Sequence, residues 1–351
     1  MSWVEELARP EIVALKPYEH ASWEPSLERL HANELPWRPA GDESDAGLNR
    51  YPEPQPRALL DRLAALYEVP AASVLVGRGS DEAIDLLTRA FCRAGRDAVL
   101  VCPPTFGMYS VCARIQGAEV VPVPLLAAEG FALDERTLLE RCAAAVKLVF
   151  LCSPNNPTGN LLDEAALLRI VRRLAGRALV VVDEAYIEFA GRTSLAHRVA
   201  ELPNLAILRT LSKAYGLAGA RCGALIADPE VIALLRKIIP PYAIPQLTLE
   251  AVLQGLRAQA LAASRERLTL LLAERQRLIT TLPRLARVTR VWPSDANFVL
   301  AEFDNAGDAL ARARGAHLLV RDARGYPGLG RALRITVGTP EQNGRLLEAW
   351  G

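Results

Sequence analysis

The stretch Arg209-Thr-Leu-Ser-Lys-Ala-Tyr-Gly-Leu-Ala-Gly-Ala-Arg221 sets a lysine among hydroxyls, with two glycines and an arginine downstream, directly after an apolar run. A lysine in water is a mobile, hydrated cation. Lys213 at the end of a buried strand loses hydration, its pKa falls, and its amine becomes a nucleophile able to condense with a carbonyl. Thr210, Ser212 and Arg221 supply hydroxyl and charge-assisted donors suited to a phosphate. Composition alone favours a surface turn with an incidental lysine.

Three further motifs also sit at the ends of apolar runs. Val180-Val-Val-Asp183-Glu-Ala-Tyr186 puts a carboxylate where parallel sheets open into a ligand crevice. A carboxylate there is costly unless it meets a cation, and a protonated ring nitrogen is a suitable one. Asp183 could equally be a helix N-cap, or a metal ligand of the Walker-B kind, although no G-x-x-x-x-G-K-[ST] accompanies it. Leu151-Cys-Ser-Pro-Asn155-Asn156-Pro157-Thr158-Gly159 is explained by a tight turn alone, but its Asn156 amide is free to reach a ligand oxygen. Gly77-Arg-Gly79-Ser80-Asp81-Glu82 opens an amphipathic helix whose first amides form an anion site or a plain helix start. It is no dinucleotide fingerprint, because Glu82 stands where a third glycine belongs.

Near-continuous apolar runs must carry these motifs. Ser73–Val76, Ala98–Cys102, Val120–Val123, Leu148–Cys152, Leu179–Val182, Leu205–Leu208 and Ala224–Ala227 read as strands covered on both faces. Between them, sets such as Ala83, Ile84, Leu87, Ala90 and Phe91 follow the helical period. The alternation predicts an α/β fold with a large, mainly parallel, seven-stranded sheet and helices on both sides. Pro240, Pro241 and Pro245 mark a junction. A long helix with Leu268, Leu271, Leu272, Leu278, Ile279 and Leu282 follows, then strands at Phe298–Ala301, Leu318–Arg321 and Leu333–Val337, a smaller α+β domain. The expected division is an N-terminal segment (1–48) on the small domain and a partner subunit, a large domain (49–238) and a small domain (239–351).

With 51% hydrophobic and 23% charged residues, the chain can bury a large core without disulfides or metals. A net charge of +1 points to neither nucleic acid nor membrane. The six cysteines form no C-x-x-C pair and the four histidines are scattered, so no metal site is expected. Without an apolar leader or a spanning run, a reduced cytoplasmic protein is expected.

Taken in order, Gly79–Asp81, Phe106, Asn156, Asp183 with Tyr186, and Lys213 with Arg221 resemble the fold-type I pyridoxal-phosphate enzymes, the aspartate-aminotransferase superfamily. The resemblance covers essentially the whole chain. It implies that Lys213 carries pyridoxal 5′-phosphate and acts as base and acid, with Asp183 on the ring nitrogen and Phe106 on the ring face. Tyr186 and Asn156 then address the ring oxygen, while Gly79, Ser80, Asp81, Thr210, Ser212 and Arg221 hold the phosphate.

A finer resemblance is to histidinol-phosphate aminotransferases. It rests on Leu15-Lys-Pro-Tyr18, Ala32-Asn33-Glu34, Asn49-Arg50-Tyr51-Pro52, Pro104-Thr-Phe106-Gly-Met-Tyr109, Leu319-Val-Arg321-Asp322 and Leu333-Arg334-Ile-Thr-Val-Gly-Thr339. It implies Tyr18, Asn33, Tyr51, Arg321 and Arg334 around the substrate's phosphate or carboxylate, with Tyr51 supplied by the neighbouring subunit of a homodimer. By composition alone Arg321 would pair with Asp322. Two positions depart from the family: Phe106 replaces a common Tyr, and Asn33-Glu34-Leu35-Pro36-Trp37 replaces N-E-N-P, a change towards bulkier or aromatic substrates. A threonine-phosphate decarboxylase and an aromatic amino-acid aminotransferase are the nearest alternatives. A non-catalytic regulator would carry an appended DNA-binding domain, for which the chain has no room.

Overall fold

The computed structural model describes residues 2–24 and 26–351. Met1 and Pro25, both within the expected N-terminal segment, lie outside the described residues.

Seven strands form the large sheet: β1 (Val74–Gly77), β2 (Ala98–Val101), β3 (Glu119–Pro122), β4 (Val146–Cys152), β5 (Leu179–Asp183), β6 (Leu205–Thr210) and β7 (Gly223–Ile226). Their order is β1-β7-β6-β5-β4-β2-β3, with β7 antiparallel to both neighbours and the other pairings parallel. Side chains alternate across a strand, so a continuous apolar run serves two cores. In β5, Val180 and Val182 join one core and Leu179 and Val181 the other. In β4, Val149 and Leu151 face the first, and Leu148, Phe150 and Cys152 the second. The edge strand β3 is the exception, since Glu119 and Pro122 are exposed.

The antiparallel small sheet runs β10 (Arg321–Asp322), β11 (Ala332–Thr336), β9 (Phe298–Phe303) and β8 (Val288–Val291). Helices Ala258–Thr281, Ala306–Gly315 and Pro340–Trp350 pack on it around Phe303 and Trp350.

Two expectations are corrected. The first turns of the N-terminal segment pack on the large domain, not the small one. Val4, Leu7 and Ala8 enter the core with Leu87 and Leu235, and Arg9 N donates to Ala90 O at 2.9 Å. The run Leu318–Arg321 is not a strand before Arg321. His317 turns the chain at φ 58°, Leu318 and Val320 touch the core, and Leu319 stays exposed.

Candidate active site

The parallel strands deliver their carboxyl ends to one edge of the sheet, and β7, running the other way, delivers its start there. Cys152 pairs with Asp183 and Asp183 with Leu208, so the ends of β4, β5 and β6 lie side by side. A cavity of about 260 Å³ opens above them.

Phe106, Asn156, Asp183, Tyr186, Thr210 and Ser212 line this cavity, as do Lys213, Arg221, Arg321 and Arg334. Gly79, Ser80 and Asp81 close one end. The helix Ser80–Phe91 starts there with no side chain among the described residues capping it, so its first amides remain unspent. Gly79 has φ 84°, and a Cβ on it would sit 2.9 Å from Arg221 Nη2. Gly223 is equally constrained, since its Cβ would meet Ser80 N at 2.7 Å. Arg221 Nη1 donates to Ser212 Oγ at 3.4 Å, and its Nη2 lies 3.4 Å from Asp81 Oδ2. Phosphate-type donors of three kinds (amide, hydroxyl and guanidinium) therefore converge.

At the other end lies Asp183, 3% exposed. It accepts from the Tyr109 hydroxyl at 2.6 Å and from Ala185 N at 3.0 Å. Burial pushes its carboxyl up to about 6, against the pull of those donors. Among the described residues no cation stands within ion-pairing distance of it. Tyr109 is held by stacking on Phe150, with centroids 4.8 Å apart.

Lys213 Nζ lies 5.5 Å from the Tyr186 ring centroid. Burial first, then the charges of Arg334 and Arg221, hold its amine below the usual lysine value, while Asp81 and Asp183 oppose them. Asn156 Nδ2 points to the Tyr186 hydroxyl at 3.5 Å, and its Oδ1 accepts from Arg334 Nη1 at 2.5 Å. Asn155 braces this loop from behind, bonding Thr105, Pro104 O and Thr158.

Arg321 and Arg334 are direct cross-strand partners in β10 and β11. Side chains opposite one another share a face, and like charges so placed repel unless an anion lies between them. Asp322 does not relieve this, because it pairs with Arg324 at 2.7 Å. Arg334 Nε is buried without a hydrogen-bond partner among the described residues.

Tyr18, Asn33 and Tyr51 do not line the cavity of this chain. Tyr18 is 71% and Tyr51 50% exposed, and the Tyr51 ring stacks on Tyr242 at 4.5 Å. Leu35 and Trp37 are exposed as well. Glu34, by contrast, is spent internally. It binds Arg29 and Arg50, and accepts from Tyr51 N at 2.7 Å. Sequence reasoning assigned no role to Tyr109, Cys152 or Tyr326, all at the site.

The model for aminotransferases of class I and II matches residues 28–349. The histidinol-phosphate aminotransferase of Stenotrophomonas maltophilia is 48% identical over 98% of this chain and 95% of its own length. The chain belongs to the histidinol-phosphate aminotransferase family. Among solved structures, that family's enzyme from Sinorhizobium meliloti, in complex with pyridoxal-5′-phosphate, superposes with a TM-score of 0.76 at 26% identity. It covers 86% of this chain and 82% of that one. L-threonine-O-3-phosphate decarboxylase from Porphyromonas gingivalis gives 0.71 at 27% identity, over 86% and 90%. For a histidinol-phosphate aminotransferase family member, the donor set here matches pyridoxal phosphate. It offers an amine held below its usual pKa and, among the described residues, a buried carboxylate with no ion partner and one side-chain donor at 2.6 Å, and a helix start beside an arginine with no side-chain cap.

Proposed function

We propose that this chain transfers an amino group between L-histidinol phosphate and 2-oxoglutarate, giving imidazole acetol phosphate and glutamate, in histidine biosynthesis, with pyridoxal 5′-phosphate on Lys213. The observation that carries the substrate class is the Arg321–Arg334 pair, two like charges facing each other across β10 and β11 at the cavity. One phosphate, or the carboxylates of the co-substrate, relieves the repulsion and satisfies both forks.

The bound cofactor supplies an electron sink for the bonds at the substrate's Cα. Asp183 holds the ring nitrogen's charge, and Tyr109 fixes the carboxylate that does so. Tyr186 and Asn156 orient the ring oxygen, and Phe106 covers one ring face. Gly79, Ser80 and Asp81 amides, with Thr210, Ser212 and Arg221, anchor the phosphate at the opposite end. Lys213, uncharged more readily than a surface lysine, takes the proton from the substrate's Cα as general base and returns a proton as general acid. Arg334, bonded to Asn156, ties the substrate end of the site to the ring end.

The active form is a homodimer. Tyr18, Asn33 and Tyr51 are exposed in one chain, and in this reading a second copy supplies Tyr51 to the facing cavity. Residues 49–238 then carry the cofactor and 239–351 the substrate-reading arginines. The enzyme acts on small molecules in the cytoplasm, and among the described residues no helix is long and apolar enough to cross a membrane.

The test is a direct comparison of histidinol phosphate, phenylalanine and phosphothreonine in single turnovers on purified enzyme. Fastest conversion of histidinol phosphate, with 2-oxoglutarate regenerating the enzyme and no CO₂ released, is the expected result. Preference for phenylalanine would make it an aromatic aminotransferase, and CO₂ release from phosphothreonine a decarboxylase.

A further inference from the structure

The turn that carries Asp183 and Tyr186 also carries two acids that do not line the cavity. Glu184, buried, and Glu188, half-buried, both pack against one arginine of β6. Arg209 Nη2 donates to Glu188 Oε1 at 2.6 Å, and its Nη1 lies 3.7 Å from Glu184 Oε2. The guanidinium also covers the Tyr67 ring at 4.6 Å. Glu184 is pinned further by Ser194 Oγ and by Leu195 N at 2.7 Å. Arg209 immediately precedes Thr210, which lines the cavity, and adjacent strand residues point to opposite faces. Glu188 thus grips the chain just before Lys213. It also lies beside the chain just after it: burial, then the Glu188 carboxylate, pushes the Tyr215 phenol up.

As a source of stability this cluster is a poor choice. Buried ion groups cost desolvation that apolar packing avoids, and Glu188 Oε2 and Arg209 Nε have no hydrogen-bond partner among the described residues. As a spacer it is well placed. It links the back of the Asp183–Tyr186 turn to both sides of the Lys213 turn.

We propose that Arg209, held by Glu184 and Glu188, is a positioning residue that sets the separation of Lys213 from Asp183 and Tyr186. This rests on the reading of Lys213 as the cofactor-bearing amine. Proton transfer at one substrate carbon demands that amine and ring be held to a fraction of an ångström, and a guanidinium fork between two carboxylates resists both sliding and rotation.

The experiment uses cofactor-loaded enzyme with Glu188→Gln and, separately, Arg209→Lys. Glu188→Gln keeps the side-chain volume and leaves Arg209 its Glu184 partner, so it is read even where Arg209→Lys does not fold. Three quantities are measured: the pH midpoint of the visible band of the cofactor on Lys213, kcat and KM per bound cofactor, and Tm. Positioning predicts that kcat falls by roughly 10-fold while KM stays within about 3-fold, the pattern of a misplaced reacting group. It also predicts an upward shift of the band midpoint: a Tyr186 hydroxyl donating to the cofactor's ring oxygen would favour the unprotonated form on Lys213, and loosening it removes that bond. A lowered Tm with kcat and midpoint at wild-type values overturns the proposal, leaving Arg209 purely structural. If the Lys213→Ala variant, with Glu184, Glu188 and Arg209 intact, keeps the band, the underlying reading of the site falls instead, whatever Arg209 does.

Discussion

The Tyr109 hydroxyl donates to Asp183 Oδ2 at 2.6 Å across 74 positions of sequence. It is the only side-chain donor to that carboxylate among the described residues. Both groups are buried, and burial pushes the Tyr109 phenol well up, so it remains a donor throughout the working pH range. Removing one partner of a buried charged acceptor costs more than the net worth of the bond. Tyr109→Phe keeps the ring stacked on Phe150 and deletes only the donor. Since that donor lowers the Asp183 pKa, its loss moves the acid limb of kcat/KM to higher pH, and kcat falls by about 10-fold, the equivalent of one charged hydrogen bond at roughly 1.5 kcal/mol. A pH profile of kcat/KM for the two proteins checks this.

Asp183 also gives the cofactor-free protein a pH signature. Its folded-state value of about 6 lies above the ordinary carboxylate value. A raised value means that the folded state binds the proton more tightly, so this group's stabilising share is complete at low pH and is lost as pH rises through 6. The loss is roughly 3 kcal/mol at most, from the spacing of the two values. Asp183→Asn removes the dependence. In thermal melts without cofactor, the variant melts above the wild type at pH 8 and the gap closes towards pH 4. With pyridoxal phosphate added the ranking reverses, because only the wild type offers the ring nitrogen a carboxylate.

The opposed arginines of β10 and β11 predict a different split. Arg334→Leu removes the fork bonded to Asn156 and leaves Arg321 facing no like charge. Each charge-assisted bond to substrate is worth about 1.5–3 kcal/mol, so KM for histidinol phosphate and for 2-oxoglutarate rises together by roughly 10- to 100-fold. Steady-state kinetics with each substrate varied in turn measures it. A change confined to one substrate would mean that the two anions do not share this pair.

The motifs that proved legible share a physical cause. Asn156, Asp183, Lys213 and Gly79 each follow an apolar strand closely, so local pattern both locates the strand and orders the site residue at its end. The seven strands were readable because strands with two buried faces are continuously apolar, and even the half-exposed β3 kept Val120 and Val121. What escaped depends on contacts distant in sequence. Tyr109 reads as an ordinary helix residue until β5 brings Asp183 to it. β8 escaped because Thr289 and Arg290 are exposed and leave only two valines to signal it. Tyr326 lies in a Gly- and Pro-rich loop with no period at all. The N-terminal segment misled because its Trp and Pro content names no partner surface. Its first turns found the helix Ser80–Phe91 of the large domain.

The proposed role of Lys213, just past the carboxyl end of β6, is to bear the cofactor. Its most direct test is borohydride reduction of the enzyme loaded with pyridoxal phosphate, followed by peptide mass spectrometry. One reduced cofactor adduct is expected, on Lys213, absent from Lys213→Ala. An adduct on Lys16, Lys147 or Lys237 instead, or a stable adduct in Lys213→Ala, would contradict it.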